Sequence, residues 1–120
     1  MKNCIVLSGQ YRTFDQTWEN IKKFIDLNKL DVYCHLWSNN ETEIQNVQTR
    51  LNPIKFLHDD YEAYADVFDG IEGRIRNKHP KGPNQDKLAA NASMNFSRKS
   101  AFDLIDPEND YHTLVYCRYD

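Results

Sequence analysis

The feature that most constrains this 120-residue chain is the run Cys4-Ile5-Val6-Leu7-Ser8-Gly9-Gln10-Tyr11-Arg12, an apolar segment that breaks at Gly9 into a polar loop. From Phe14 onward the pattern is helical, with Phe14, Trp18, Ile21 and Ile25 at i, i+4, i+7 and i+11 on one apolar face. A strand followed at once by a glycine-containing loop and a helix is the opening half of a βαβ unit. Sheets built from such units place ligands at the carboxyl ends of their strands, so function is to be sought in this loop first.

The same alternation continues along the chain. Asn3–Leu7 reads as the first strand, with Thr13-Phe14-Asp15-Gln16 as a capping box or start signal for the helix that Asn28 ends. Leu30–Trp37 reads as a second strand, in which Val32, Cys34 and Leu36 alternate with Tyr33, His35 and Trp37. Both faces are largely apolar, as a parallel sheet covered on both sides requires. Ser38-Asn39-Asn40 is a turn and cap, and Glu41–Leu51 carries Ile44, Val47 and Leu51 at helical spacing. Asn52-Pro53 stops that helix, because proline lacks the amide and disfavours helix in the residue before it. Ile54–Leu57 is then a third strand.

Beyond Asp60 a longer helical stripe runs through Tyr61, Tyr64, Ala65, Phe68, Ile71 and Ile75, ending near Asn77. His79-Pro80-Lys81-Gly82-Pro83-Asn84 is the clear breaker cluster and reads as a mobile loop. A last helix spans Lys87–Ile105, Asp106–Asp110 is a turn, and Thr113–Cys117 forms a fourth strand. The expected architecture is a three-layer αβα domain of the α/β class, one domain over residues 1–120, with a mainly parallel four-stranded sheet in the order 3-2-1-4.

Charge and cysteine usage narrow the function classes. Fifteen basic against 18 acidic residues give a formal charge of −3, which argues against a nucleic-acid-binding surface and makes any phosphate site local. No stretch approaches the roughly 20 apolar residues of a membrane span, and the N-terminus lacks a signal-peptide pattern, so the expected location is the cytoplasm. Cys4, Cys34 and Cys117 form no CxxC and have no histidine at zinc spacing. Each falls in a strand, as buried reduced thiols do. No nucleophile has a base at motif spacing, which weakens a small cysteine or histidine enzyme as a reading.

Four short motifs in order carry a resemblance: Ser8-Gly9-Gln10-Tyr11-Arg12 after the first strand, His35-x-Trp37 ending the second, Ser93-Met94-x-x-Ser97 in the last helix, and Arg118-x-Asp120 after the fourth strand. The chain resembles a family of glycosyltransferase-like proteins encoded among bacterial surface-polysaccharide genes and in viruses, whose first half is similar to GT-A nucleotide-sugar transferases. The resemblance implies a Rossmann-like, GT-A-like half that binds a nucleotide-diphosphate sugar for hexosyl transfer, in the host cytoplasm if viral. Ser8, Gly9, Gln10, Arg12 and Arg118 are the implied phosphate contacts. Asp120 is implied for a ribose hydroxyl or for Mn²⁺ or Mg²⁺, hard ions that prefer oxygen ligands. Where the family pattern has Asp-x-Asp this chain reads Arg118-Tyr119-Asp120, so a guanidinium would meet the phosphate oxygens directly.

Each candidate also has a structural alternative. Trp37 and His35 are candidates for stacking on a base or sugar ring, and His35 for a base or ligand; packing under a helix and a satisfied strand histidine are the alternatives. Asp59 and Asp60 follow the third strand, within reach of a ribose, while Asp60 equally suits a helix cap. Transferases of this type carry the acceptor site in a second half. The resemblance therefore implies that this chain alone is incomplete for catalysis, with a missing C-terminal half or a homo-oligomeric partner. The rival expectation is a non-enzymatic interaction protein, a reduced transferase fold that acts through an open sheet edge by self-association or with a partner.

Overall fold

Five consecutive residues of the first strand, Cys4 to Ser8, have almost no exposed surface, the burial expected of a strand covered on both faces. The computed structural model describes residues 2–78 and 88–120. Among these, the elements run in the order β1 (Asn3–Ser8), α1 (Phe14–Asn28), β2 (Asp31–Trp37), α2 (Glu41–Leu51), β3 (Lys55–Asp59), α3 (Tyr61–Lys78), α4 (Leu88–Phe102) and β4 (Thr113–Arg118). The sheet is parallel throughout, in the order β3-β2-β1-β4. The α/β class and the 3-2-1-4 order expected from the sequence are therefore what the chain adopts, as a Rossmann-like layered fold.

The alternation in β2 divides the core. Val32, Cys34 and Leu36 join Ile5, Leu7, Phe14, Ile25, Val47 and Leu51 under α1 and α2. Tyr33 turns to the other face with Cys4, Val6 and Ala101, where Phe102, Leu104, Ile105 and Tyr111 pack. Trp37 enters an aromatic cluster with Tyr61, Tyr64 and Phe68 of α3 and Phe96 of α4, and this cluster seats α3 beside α4.

Two local expectations are corrected. Thr13 is the N-cap of α1 but makes no side-chain cap bond, so the capping box does not form. Its ψ of 18° belongs to a turn rather than to the extended backbone that aims a cap hydroxyl at the first amides. Carbonyls close the end instead: Tyr11 O accepts from Phe14 N at 2.8 Å and Thr13 O from Gln16 N at 2.9 Å. The last helix also stops at Phe102 rather than at Ile105. Leu104 and Ile105 follow in tight turns that lay their side chains on the sheet. Lys87 and the His79–Asn84 breaker cluster lie outside the described residues. No helix among the described residues is long and apolar enough to cross a membrane.

Candidate functional site

All four strands run the same way, so their last residues meet at one edge of the sheet. Ser8 stands in register with Arg118, and Trp37 with both Asp59 and Gln10. β1 and β4 are neighbours whose chain connections diverge, which makes this edge the switch point of the sheet. A cavity of about 60 Å³ opens there, lined by Ser8, Gly9, Gln10, Arg12, Trp37, Ser93, Met94, Tyr116 and Arg118. About 10–15 Å³ of such space holds one water, so this partly open cavity has room for a group of a few heavy atoms, with a larger ligand extending over the open surface.

The two arginines converge through Asp120. Arg118 grips it in a fork, Nε to Oδ1 at 3.1 Å and Nη2 to Oδ2 at 3.2 Å. Arg12 Nη1 stands 3.7 Å from Asp120 Oδ2, and its Nε donates to Gln10 Oε1 at 2.9 Å. Tyr119 makes this arrangement possible. It is fully buried, donates its hydroxyl to the His35 carbonyl at 2.8 Å and stacks edge-on with Phe14, while its own carbonyl accepts from the Thr17 hydroxyl. With residue 119 drawn inward, residues 118 and 120 both face out, which brings the fork and the carboxylate together.

The loop is bent by backbone conformations that few residues adopt. Gly9 has φ 121°, a value strained for any residue with a Cβ, and Arg12 has φ 33°. A Cβ on Gly9 would meet nothing within 4 Å, so the constraint there is the backbone angle and not space.

Behind the loop lies a buried polar chain. His35 is fully buried, with Nε2 2.8 Å from Asp59 Oδ2 and Nδ1 2.6 Å from Ser97 Oγ. Ser97, also fully buried, accepts the Gly9 amide at 3.0 Å. Burial pulls the His35 pKa below its ordinary value, against the smaller opposing pull of Asp59, so the ring is neutral. A carboxylate only accepts, so Nε2 carries the proton and Nδ1 receives the Ser97 hydroxyl. Serine, histidine and aspartate in this order resemble a hydrolase triad. Here the serine oxygen is sealed in the core and occupied by an amide, so it is a structural hydroxyl and not a nucleophile.

Of the residues singled out in the sequence, Ser8, Gly9, Gln10, Arg12, Trp37 and Arg118 line one cavity, with Asp120 against its arginines. His35 does not reach the lining. Trp37 is 6% exposed, with Phe96 stacked on it at 5.3 Å and its Nε1 donating to the Ser93 carbonyl, which leaves little of the indole for a ligand. Asp59 turns to His35, and Asp60 caps α3 by accepting the Glu62 amide at 3.1 Å. Three lining residues with no predicted role are Ser93, Met94 and Tyr116. The Tyr116 hydroxyl is 2.6 Å from Ser8 Oγ, and Arg98 lies 4.9 Å over its ring. Its signal was the two-residue period of β4, which puts 116 and 118 on one face.

The residues present do not fit a resident Mn²⁺ or Mg²⁺. Asp120 is the carboxylate that meets the cavity's arginines, and two guanidinium groups already surround it. Among the described residues no three His, Cys, Asp or Glu side chains gather in a metal-binding arrangement. The cysteines are poor ligands as well: burial pushes Cys34 up to about 12 and raises Cys4 and Cys117. Comparison with protein-family models, curated proteins and solved structures gave no match.

Proposed function

We propose that this chain is a glycosyltransferase-like domain that binds a nucleoside-diphosphate sugar of UDP or GDP type, with a phosphoryl group in the cavity between the Ser8–Arg12 loop and Arg118. The observation that carries the reading is the convergence of Arg12 and Arg118 on one carboxylate at the switch point of the sheet. An anion of the ligand would take the position that the Asp120 carboxylate now shares between them, and guanidinium forks suit phosphate oxygens. The ordered sequence motifs support the same reading, because each contributes to this one edge. The role proposed is donor binding: among the described residues, the side chains that line the cavity include no carboxylate and no imidazole.

Calorimetric titration with a panel of nucleotides and nucleotide sugars, with and without Mn²⁺, tests this. Binding of a diphosphate should be detected, and Arg12→Ala and Arg118→Ala should each weaken it about tenfold, the loss expected for one charge-assisted hydrogen bond. No heat at millimolar ligand, or affinities unchanged in both variants, overturns the reading.

One observation favours the interaction reading. Among the described residues β4 pairs only with β1, and beside its open edge Ile5, Ile21, Phe24, Val115 and Cys117 line an apolar groove of about 340 Å³. Phe24 and Leu114 are 44% and 42% exposed. Light scattering after size exclusion separates the two: a stable oligomer that binds no nucleotide favours association through this edge.

A further inference from the structure

The Ser8–Arg12 loop is held from below by one hydrogen-bonded line that joins two strands of the sheet to the helix α4 packed over it. It begins at Asp59 on β3, whose side chain is 22% exposed, and passes through His35 on β2 and Ser97 on α4 to the amide of Gly9. Every donor has an acceptor in one arrangement only. Asp59 fixes the proton on Nε2; Nδ1 is then an acceptor and turns the Ser97 hydroxyl toward itself; the Ser97 lone pair is left for Gly9 N–H. In the other tautomer Nε2 and Asp59 face each other as two acceptors in a site nearly closed to water. That arrangement is disfavoured, because an unmade bond at a buried polar group costs its full desolvation.

We propose that His35 is a positioning residue for the anion loop: its tautomer, set by Asp59, orients Ser97 so that Gly9 is anchored and residues 8–12 hold the shape that lines the cavity. The inference rests on the phosphate-binding reading of that cavity for its purpose, though not for its geometry. The other groups around His35 leave the assignment to Asp59 and Ser97. On β2 and α4 it meets the rings of Trp37 and Phe96, and the Tyr119 hydroxyl binds its carbonyl. The neighbouring His58 acts against protonation of the His35 ring, as burial does.

The experiment uses the whole chain and reads the loop directly. Nitrogen-detected imidazole spectra should show the Nε2–H tautomer of His35 from pH 6.5 to 8. Asp59→Ala should mix the tautomers and shift the Gly9 amide resonance, whereas Asp59→Asn, which keeps a carbonyl acceptor, should restore both most of the way. Asp59 is partly exposed, so its truncation opens no buried cavity; Ser97→Ala, which removes the acceptor of the Gly9 amide while the bond from Trp37 N to the Gly9 carbonyl remains, adds a second readout if it folds. Titration with inorganic phosphate then gives the consequence, with Asp59→Ala about fivefold weaker than the parent, as one lost hydrogen bond implies. An Nδ1–H tautomer in the parent, or a Gly9 resonance unmoved while the tautomer changes, overturns the proposal. So does phosphate binding of equal strength in parent and Asp59→Ala. If Gly9 responds as stated and phosphate binds to neither protein, the relay stands and the phosphate-binding reading falls.

Discussion

At the scale of single residues, burial decides more than charge does. His35 lies in the core, and desolvation lowers its pKa below the ordinary 6.5. The sign of the linkage follows. As pH falls below 6.5 the unfolded chain takes up a proton at this position before the folded chain does. Stability therefore declines with falling pH in the window between 6.5 and the lower folded value, and levels off beneath it. Asp15 acts in a separate range. Its hydrogen bond from Tyr11 and its contact with Arg50 hold its pKa under 3.8, so the stability it contributes is lost only as pH falls through that lower value. Urea midpoints measured at half-unit steps from pH 7.5 to 5 should fall on the acid side of 6.5 in the parent and change less in His35→Gln. An equal pH dependence in both proteins would place the titration elsewhere.

At the scale of elements, the two helix starts on the α1 and α2 side look alike in sequence and differ in structure. Asn40 precedes α2 with extended backbone, ψ 118°, and its Oδ1 accepts the Glu43 amide at 3.1 Å. Thr13 precedes α1 in a turn and caps nothing with its side chain. Asn40→Ala should cost about 1 kcal/mol, the usual loss of a side-chain cap, while Thr13→Ala should stay within about 0.5 kcal/mol of the parent. Thermal unfolding of both variants measures the contrast, and equal losses would mean that Thr13 caps α1 after all. The pair also marks what is legible in a sequence. Element identity and sheet order were readable, because apolar periodicity reports burial and burial fixes the faces of β1 and β2. The state of Thr13 was not, because it depends on how the loop from Gly9 to Arg12 arrives, with positive φ at both ends. The site divides in the same way. Arg12 and Arg118 were readable as residues at two strand ends. The partnership of Asp59, His35, Ser97 and Gly9 depends on how α4 sits over β2, and side chains 62 residues apart carry no local mark of it.

At the scale of the whole molecule, the fold brings two arginines and one carboxylate to the switch point, and the balance among them sets what the crevice can hold. Arg12 and Arg118 are 59% and 42% exposed, so their attraction to Asp120 is screened, and each pair contributes within the 0 to 1 kcal/mol typical of surface ion pairs. The carboxylate has two opposing effects on an incoming phosphate. It keeps the Arg118 fork in place, which favours binding, and it occupies the same donors and cancels charge, which opposes it. The fork is held by a side chain with 17% exposure, but it turns on a short Arg-x-Asp segment already fixed by the buried Tyr119. Positioning therefore survives loss of the carboxylate better than charge cancellation does. Asp120→Asn should bind inorganic phosphate about three- to fivefold more tightly at low salt, with the gain shrinking as salt rises past 0.15 M, where the screening length is about 8 Å. Titrations of parent and variant at two ionic strengths, each repeated with Mn²⁺, measure this. Tighter binding in the variant with no effect of Mn²⁺ makes Asp120 an occupant of the anion site. A Mn²⁺-dependent gain in the parent that Asp120→Asn abolishes would make it a metal ligand and reverse the assignment.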